Sequence, residues 1–142
     1  MFKKYFPQGL AAVFTIFFVA LGIEPVSREV WIAEVVPVVL VFAVLVVTFG
    51  RFRFSNLSYL MLAVWMFWHT VGGHYTFANV PFGFVSDLFG FERNHFDRIG
   101  HFSIGFYAYP LMELVTRRRW CGVVLASFFG VFFIMSVAAG YE

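Results

Sequence analysis

The run Val30-Trp31-Ile32-Ala33-Glu34-Val35-Val36-Pro37-Val38-Val39-Leu40-Val41-Phe42-Ala43-Val44-Leu45-Val46-Val47-Thr48-Phe49 decides the class of this chain. It is 20 residues long and holds one charged side chain, Glu34. A helix of that length rises about 30 Å, the thickness of the hydrocarbon core of a bilayer. In lipid the backbone must satisfy its own hydrogen bonds, so the run reads as a helix. Four more apolar stretches lie around it, at about 10–23, 57–75, 99–115 and 120–139. The expectation is an all-α polytopic transmembrane bundle of about five membrane-spanning helices, forming one integral membrane domain over residues 1–142.

Composition points the same way. Of 142 residues, 61% are hydrophobic and 13% are charged, against roughly 25% charged in an average soluble domain. A soluble domain this small would expose much of that apolar surface and aggregate. The net charge of +2 is too small to suggest a nucleic-acid partner. A single cysteine, Cys121, forms no intramolecular disulfide and builds no CxxC metal site. The basic start and apolar middle of the first stretch resemble a signal peptide. Its best cleavage point, Ala20-Leu21-Gly22 before Pro25, is weak, which favours an uncleaved first helix.

Basic residues set the expected orientation. With the N-terminus in the cytoplasm, Lys3, Lys4, Arg51, Arg53, Arg117, Arg118 and Arg119 face inward, and Arg28, Arg93 and Arg98 face outward. That seven-to-three split follows the positive-inside rule. Seven acids and all four histidines then fall at or near the outer side, with only Glu113 inside. Glu34, His69 and His101 lie within apolar runs, where ionisable groups commonly serve function. The loop from Thr76 to Phe96 is rich in phenylalanine and is expected to lie on the membrane interface or fold over the helix ends.

Asp97 and His101 are the sharpest pair. Four residues apart, they share one helix face. A carboxylate there can orient an imidazole, raise its basicity or share a metal with it. As candidate catalytic residues, His101 would be the general base or metal ligand and Asp97 its orienting partner. The plainer alternative is a local Asp–His hydrogen bond at the start of a helix. His69 and His74 flank Gly72-Gly73, five apart, and a regular helix points them in different directions. His69 reads either as a ligand or as a histidine among Trp65, Trp68 and a backbone carbonyl. Glu34 precedes Pro37, whose missing N–H frees the carbonyl of Ala33. With Glu142, these residues form a mixed set, His69, His74, Asp97, His101, Glu34 and Glu142, acceptable to a divalent metal such as zinc or manganese. Gly122, Ala126 and Gly130 form a small-xxx-small stripe for close helix packing, and Pro110 marks a kink. No GxSxG, GxxxxGK[ST] or GxGxxG motif is present.

Two segments carry a family resemblance: Gly73-His74-Tyr75-Thr76-Phe77-Ala78-Asn79-Val80-Pro81, and Arg93-Asn94-His95-Phe96-Asp97-Arg98-Ile99-Gly100-His101-Phe102. Together they resemble the YjdF-like family of bacterial inner-membrane proteins, which has a GHYTYAxVP-type segment followed by an RNxYDRxGHF-type segment. The specific match covers about residues 72–106. The resemblance implies a multi-pass protein of the bacterial inner (plasma) membrane with no known activity. Its motif residues fall here on His74, Tyr75, Arg93, Asn94, Asp97, Arg98 and His101, which makes His74, Tyr75, Arg93, Asn94 and Arg98 candidate ligand-binding residues. The DxxxH at the start of a membrane helix is also similar, more distantly, to VanZ-like proteins of the cell envelope. YjdF-like proteins continue past a Tyr-Glu pair into an acidic, Trp-rich segment and a further helix, whereas this chain stops at Tyr141-Glu142.

The functional expectation is a polar His/carboxylate site at the outer leaflet, binding a metal or an envelope lipid headgroup. Arg93 and Arg98 would meet an anionic headgroup. This expectation requires the polar side chains to converge in one cavity. The alternative, a non-catalytic membrane scaffold or accessory subunit, requires only a local Asp97–His101 pair. Membrane lipids are the expected partners, with a homo-oligomer or another membrane protein covering any flank left open.

Overall fold

A computed structural model describes residues 2–90 and 92–141. The described chain is all helical: α1 (Phe2–Gly22), α2 (Arg28–Thr48), α3 (Asn56–Tyr75), α4 (Gly83–Phe89), α5 (Phe96–Ile104), a 3-10 turn (Gly105–Tyr107), α6 (Ala108–Arg117) and α7 (Val123–Tyr141). Three helices, α1, α2 and α7, are long and apolar enough to cross a membrane. They leave much of their apolar surface exposed, as at Ile16, Leu40, Val47, Val124 and Phe132.

Local chemistry sets most of the ends. Ser27 caps α2 by accepting from the N–H of Val30, and Ser55 caps α3 by accepting from that of Ser58. At the other end of α3 the chain turns through left-handed Thr76 and Phe77, and the Phe77 N–H donates to Gly72 O at 2.7 Å. The first helix starts at Phe2 rather than near residue 10. The backbone stays helical through Lys3, Lys4 and Pro7, since a proline in the second turn costs few intrahelical hydrogen bonds. The expected 99–115 helix is longer too. From Phe96 to Arg117 the chain is one helical rod, tightened over Gly105–Tyr107. Pro110 explains the tightening, since it has no N–H for the carbonyl of Phe106 and its ring crowds that carbonyl.

Helix α3 is the hub. It packs against α1 and α2 on one side and against α5, the 3-10 turn and α6 on the other, while α7 lies mainly on α6. Phe14, Val38, Leu62, Trp65, Met66, Tyr107 and Ile134 form the core. The hub helix is less apolar than α2 and α7, in keeping with its packing against other helices on both sides. Its buried Ser58, His69 and Thr70 all find hydrogen-bond partners. A Cβ on Gly130 would stand 2.5 Å from the Ala108 carbonyl oxygen, and Ala126 is fully buried. Two members of the small-residue stripe therefore seat α7 on α6. Gly122 lies before α7, and a Cβ there would meet nothing.

The antiparallel helices give the bundle two unlike ends. At one, Arg53 donates to the carbonyl of Lys4 and Arg117 donates to that of Arg53. At the other, His74 Nδ1 donates to Leu21 O at 2.7 Å, and Val26 N–H donates to His74 O.

Candidate functional site

A cleft of about 1150 Å³ runs between α2 and the α5–α6 rod, floored by α3 and walled by α7. One end is polar, with Glu34, His69, Arg93, Asn94, Asp97 and His101 on its wall. Toward the basic end the lining turns apolar, through Val41, Leu62, Ile104, Leu111, Phe133 and Val137.

Two imidazole–carboxylate pairs stand at the polar end. Asp97 and His101, one helical turn apart, bring Oδ1 and Nε2 to 3.4 Å, and both side chains are about half exposed. The second pair joins two helices. His69 Nε2 lies 3.3 Å from Glu34 Oε2 and 3.1 Å from Glu34 O. Both neighbours are acceptors, so Nε2 carries the hydrogen and divides it between them. The His69 ring is clamped by Trp65 at 4.6 Å and Phe77 at 5.1 Å. A Cβ on Gly73 would stand 3.2 Å from Glu34 Cβ, so this glycine lets α2 approach closely enough for the pair to form. His69 is thus a buried core histidine bonded to a carbonyl, packed on Trp65 and Phe77 rather than on Trp68, and it also lines the cleft.

The other candidates divide. Arg93 lines the cleft, and its guanidinium makes no hydrogen bond or ion pair with a described residue. Asn94 also lines it, but its amide is engaged: Nδ2 donates to Val80 O at 3.0 Å, and Oδ1 accepts from the Phe96 N–H at 2.9 Å. It holds the loop to the start of α5. Arg98 does not line the cleft, and its guanidinium sits 3.2 Å from His95 Nδ1. His74 and Tyr75 are not brought to the site. His74 ties α3 to the end of α1, and the Tyr75 ring packs on it at 4.6 Å. Glu142 lies outside the described residues.

The five described members of the metal set are therefore not gathered at one point. Among the described residues no three His, Cys, Asp or Glu side chains stand close enough to hold a metal ion. The physical reason is pairing: each histidine at the cleft already meets its own carboxylate, while His74, five residues after His69 on the same helix, faces α1.

Sequence reasoning missed the apolar half of the cleft, whereas the roof is one of the two placements expected of the loop after α3. The 76–96 loop folds over the helix ends. Trp68 stacks on Phe96 at 4.3 Å and donates through Nε1 to Phe96 O at 2.9 Å. Phe77 lies over Gly72, where no side chain could fit beside the ring. Tyr107, the hydroxyl of which donates to Leu62 O, was also missed. Pro110 was the available signal, because a tightened rod beside a straight helix leaves space between them.

Comparisons with known proteins follow the same line. The family described as Predicted membrane protein (DUF2238) matches residues 6–142. Inner membrane protein YjdF of Escherichia coli (strain K12) is 31% identical over 135 residues, covering 93% of this chain. The chain spans 65% of that relative's length. No solved structure matches. The relative is an inner membrane protein, and α1, α2 and α7 suit the same location. With nearly its whole length matched, and with the two quoted segments resembling the YjdF-like pattern, this chain belongs to the DUF2238 family of predicted membrane proteins.

Proposed function

We propose that this is a five-span membrane protein, N-terminus in the cytoplasm, that binds a lipid of the outer leaflet in the α2–α6 cleft. The headgroup meets Arg93, the Asp97–His101 pair and the Glu34–His69 pair, and an acyl or isoprenoid chain follows the apolar lining. One observation carries the reading: a single cavity of about 1150 Å³ is polar at one end and apolar along the rest. That gradient matches an amphiphile. A metal ion or a small polar solute would leave the apolar part unfilled.

The five-span count draws support from length. Helix α3 has 20 residues, and the rod from Phe96 to Arg117 has 22, so each rises about 30 Å. Their inward faces meet protein, which explains their lower hydropathy. The orientation draws support from the segregation of Lys4, Arg53 and Arg117 at one end, since basic residues concentrate on the cytoplasmic side. The Arg93 guanidinium suits a phosphate-bearing headgroup, which it can hold through paired N–H donors.

The test is lipid retention. Protein purified in mild detergent is extracted, and bound lipid is counted by mass spectrometry. Wild type should carry stoichiometric lipid. Ile104→Trp, which fills the channel, and Arg93→Gln with Asp97→Asn, which alter the polar end, should lose it while remaining helical. Equal retention in all three, or no lipid in folded wild type, overturns the reading.

A further inference from the structure

A second apolar space lies at the opposite end of the bundle. It is a crevice of about 210 Å³ between α1, α2 and α3, lined by Pro7, Ala11, Phe14, Leu45, Phe49 and Met66 among others. Its lining is almost wholly apolar. An apolar cavity of ~150 Å³ stays dry and takes an apolar guest, so this crevice is suited to hydrocarbon rather than water.

Its mouth is cationic. The Arg53 guanidinium sits 5.3 Å over the ring of Phe49, itself a lining residue, and donates to the carbonyl of Lys4. Lys4 precedes Pro7 and Gln8, two more lining residues, by about one turn. Neither Lys4 nor Arg53 forms an ion pair with a described residue. The acid at this end, Glu113, is taken by Ser55, Ser58 and Arg117. The Lys4 ammonium lies 5.7 Å from the Tyr5 ring centroid, one turn before the lining residues, so two cationic side chains with no counterion among the described residues flank an apolar slot, and charge complementarity selects an anion that carries a hydrocarbon chain.

We propose that this end holds an anionic phospholipid, its phosphate between Lys4 and Arg53 and part of one acyl chain in the α1–α2–α3 crevice. The site differs from the α2–α6 cleft in location, lining and charge, and does not depend on it. An ammonium-bearing zwitterion satisfies it less well, because among the described residues the acid at this end, Glu113, is already engaged.

The experiment measures the thermal midpoint of the detergent-solubilised full chain during titration with phosphatidylglycerol, phosphatidylcholine of the same chains, or inorganic phosphate. Phosphatidylglycerol should raise the midpoint saturably, phosphatidylcholine much less, and phosphate not at all. Lys4→Gln should weaken the phosphatidylglycerol response about fivefold, the worth of one cation near an anionic headgroup. Lys4→Gln combined with Arg53→Gln should abolish it. Ala11→Leu, which narrows the crevice without touching a cation, should weaken it as well, and it keeps the test open if Arg53→Gln fails to fold. Arg93→Gln, at the far end, should leave the response unchanged. Equal responses to the two lipids, an equal response to inorganic phosphate, or an unaltered response in Lys4→Gln and Ala11→Leu overturns the proposal.

Discussion

Replacing Glu113 by alanine should destabilise the bundle far more than removing its sequence neighbour in the ion pair. The Glu113 carboxylate accepts from the Ser55 N–H at 2.8 Å, the Ser55 hydroxyl at 2.8 Å, the Ser58 hydroxyl, and the Arg117 guanidinium at 2.7 Å. It thereby fastens the last turn of α6 to the cap of α3. Hydrogen bonds to a charged group contribute about 1.5–3 kcal/mol each. A plain sum over four overshoots, because neighbouring bonds are not additive. The Arg117 bond adds little, since that side chain is half exposed and water replaces the carboxylate. The three serine donors remain. Ser58 is fully buried, and without Glu113 its hydroxyl keeps only Ser55 Oγ at 3.3 Å. The expected loss is about 3 kcal/mol, the lower end of what breaking a buried charged network does. At roughly 3–5 °C per kcal/mol for a chain of this size, the thermal midpoint should fall by about 10–15 °C. Arg117→Gln loses the exposed pair, a bond to Arg53 O at 2.7 Å and the contact with the Phe52 ring at 4.4 Å. It should fall by about a third as much. Differential scanning fluorimetry of both variants in one detergent decides. Equal drops would mean that the bonds to Ser55 and Ser58 carry no stability, and the argument from burial would fail.

Three further outcomes are expected. Gly130→Ala should cost about 1–3 kcal/mol by pushing a methyl into the Ala108 carbonyl, whereas Gly122→Ala, with open space, should stay within about 0.5 kcal/mol; parallel melts compare them. Trp68→Phe should cost about 1 kcal/mol through the lost bond to Phe96 O, and proteolysis within 76–96 should quicken as the loop loosens. In a Cys121→Ala background, cysteines placed at Lys4 and at Arg93 should react with an impermeant thiol reagent from opposite sides of the membrane; labelling from the same side would defeat the five-span topology.

Much of the fold was legible because hydropathy is local. Each apolar stretch became a helix, and Pro110 marked where one of them tightens. The ends were less legible. Nothing in Lys3, Lys4 and Pro7 distinguishes a helix continuing past the bilayer from one stopping at it. The short α4 also went unseen, since seven residues carry too little periodicity. At the site, Asp97–His101 was readable from its spacing alone. Glu34 and His69 were both singled out, but not as partners. Their meeting depends on α2 lying against Gly73, which no spacing encodes.

By itself, then, the amino-acid sequence determined that this chain is helical and lives in a bilayer. It also determined that its charges divide between two ends and that Asp97 faces His101. These follow from composition and from contacts one helical turn long. The tertiary structure alone decided that α3 is the hub, that His74 serves α1 rather than the site, that Glu113 is held by two serines, and that a cleft graded from polar to apolar opens beside α6. Those outcomes rest on how helix surfaces far apart in sequence fit together, and such a fit depends on shape at Gly73, Gly130 and Pro110 more than on hydropathy.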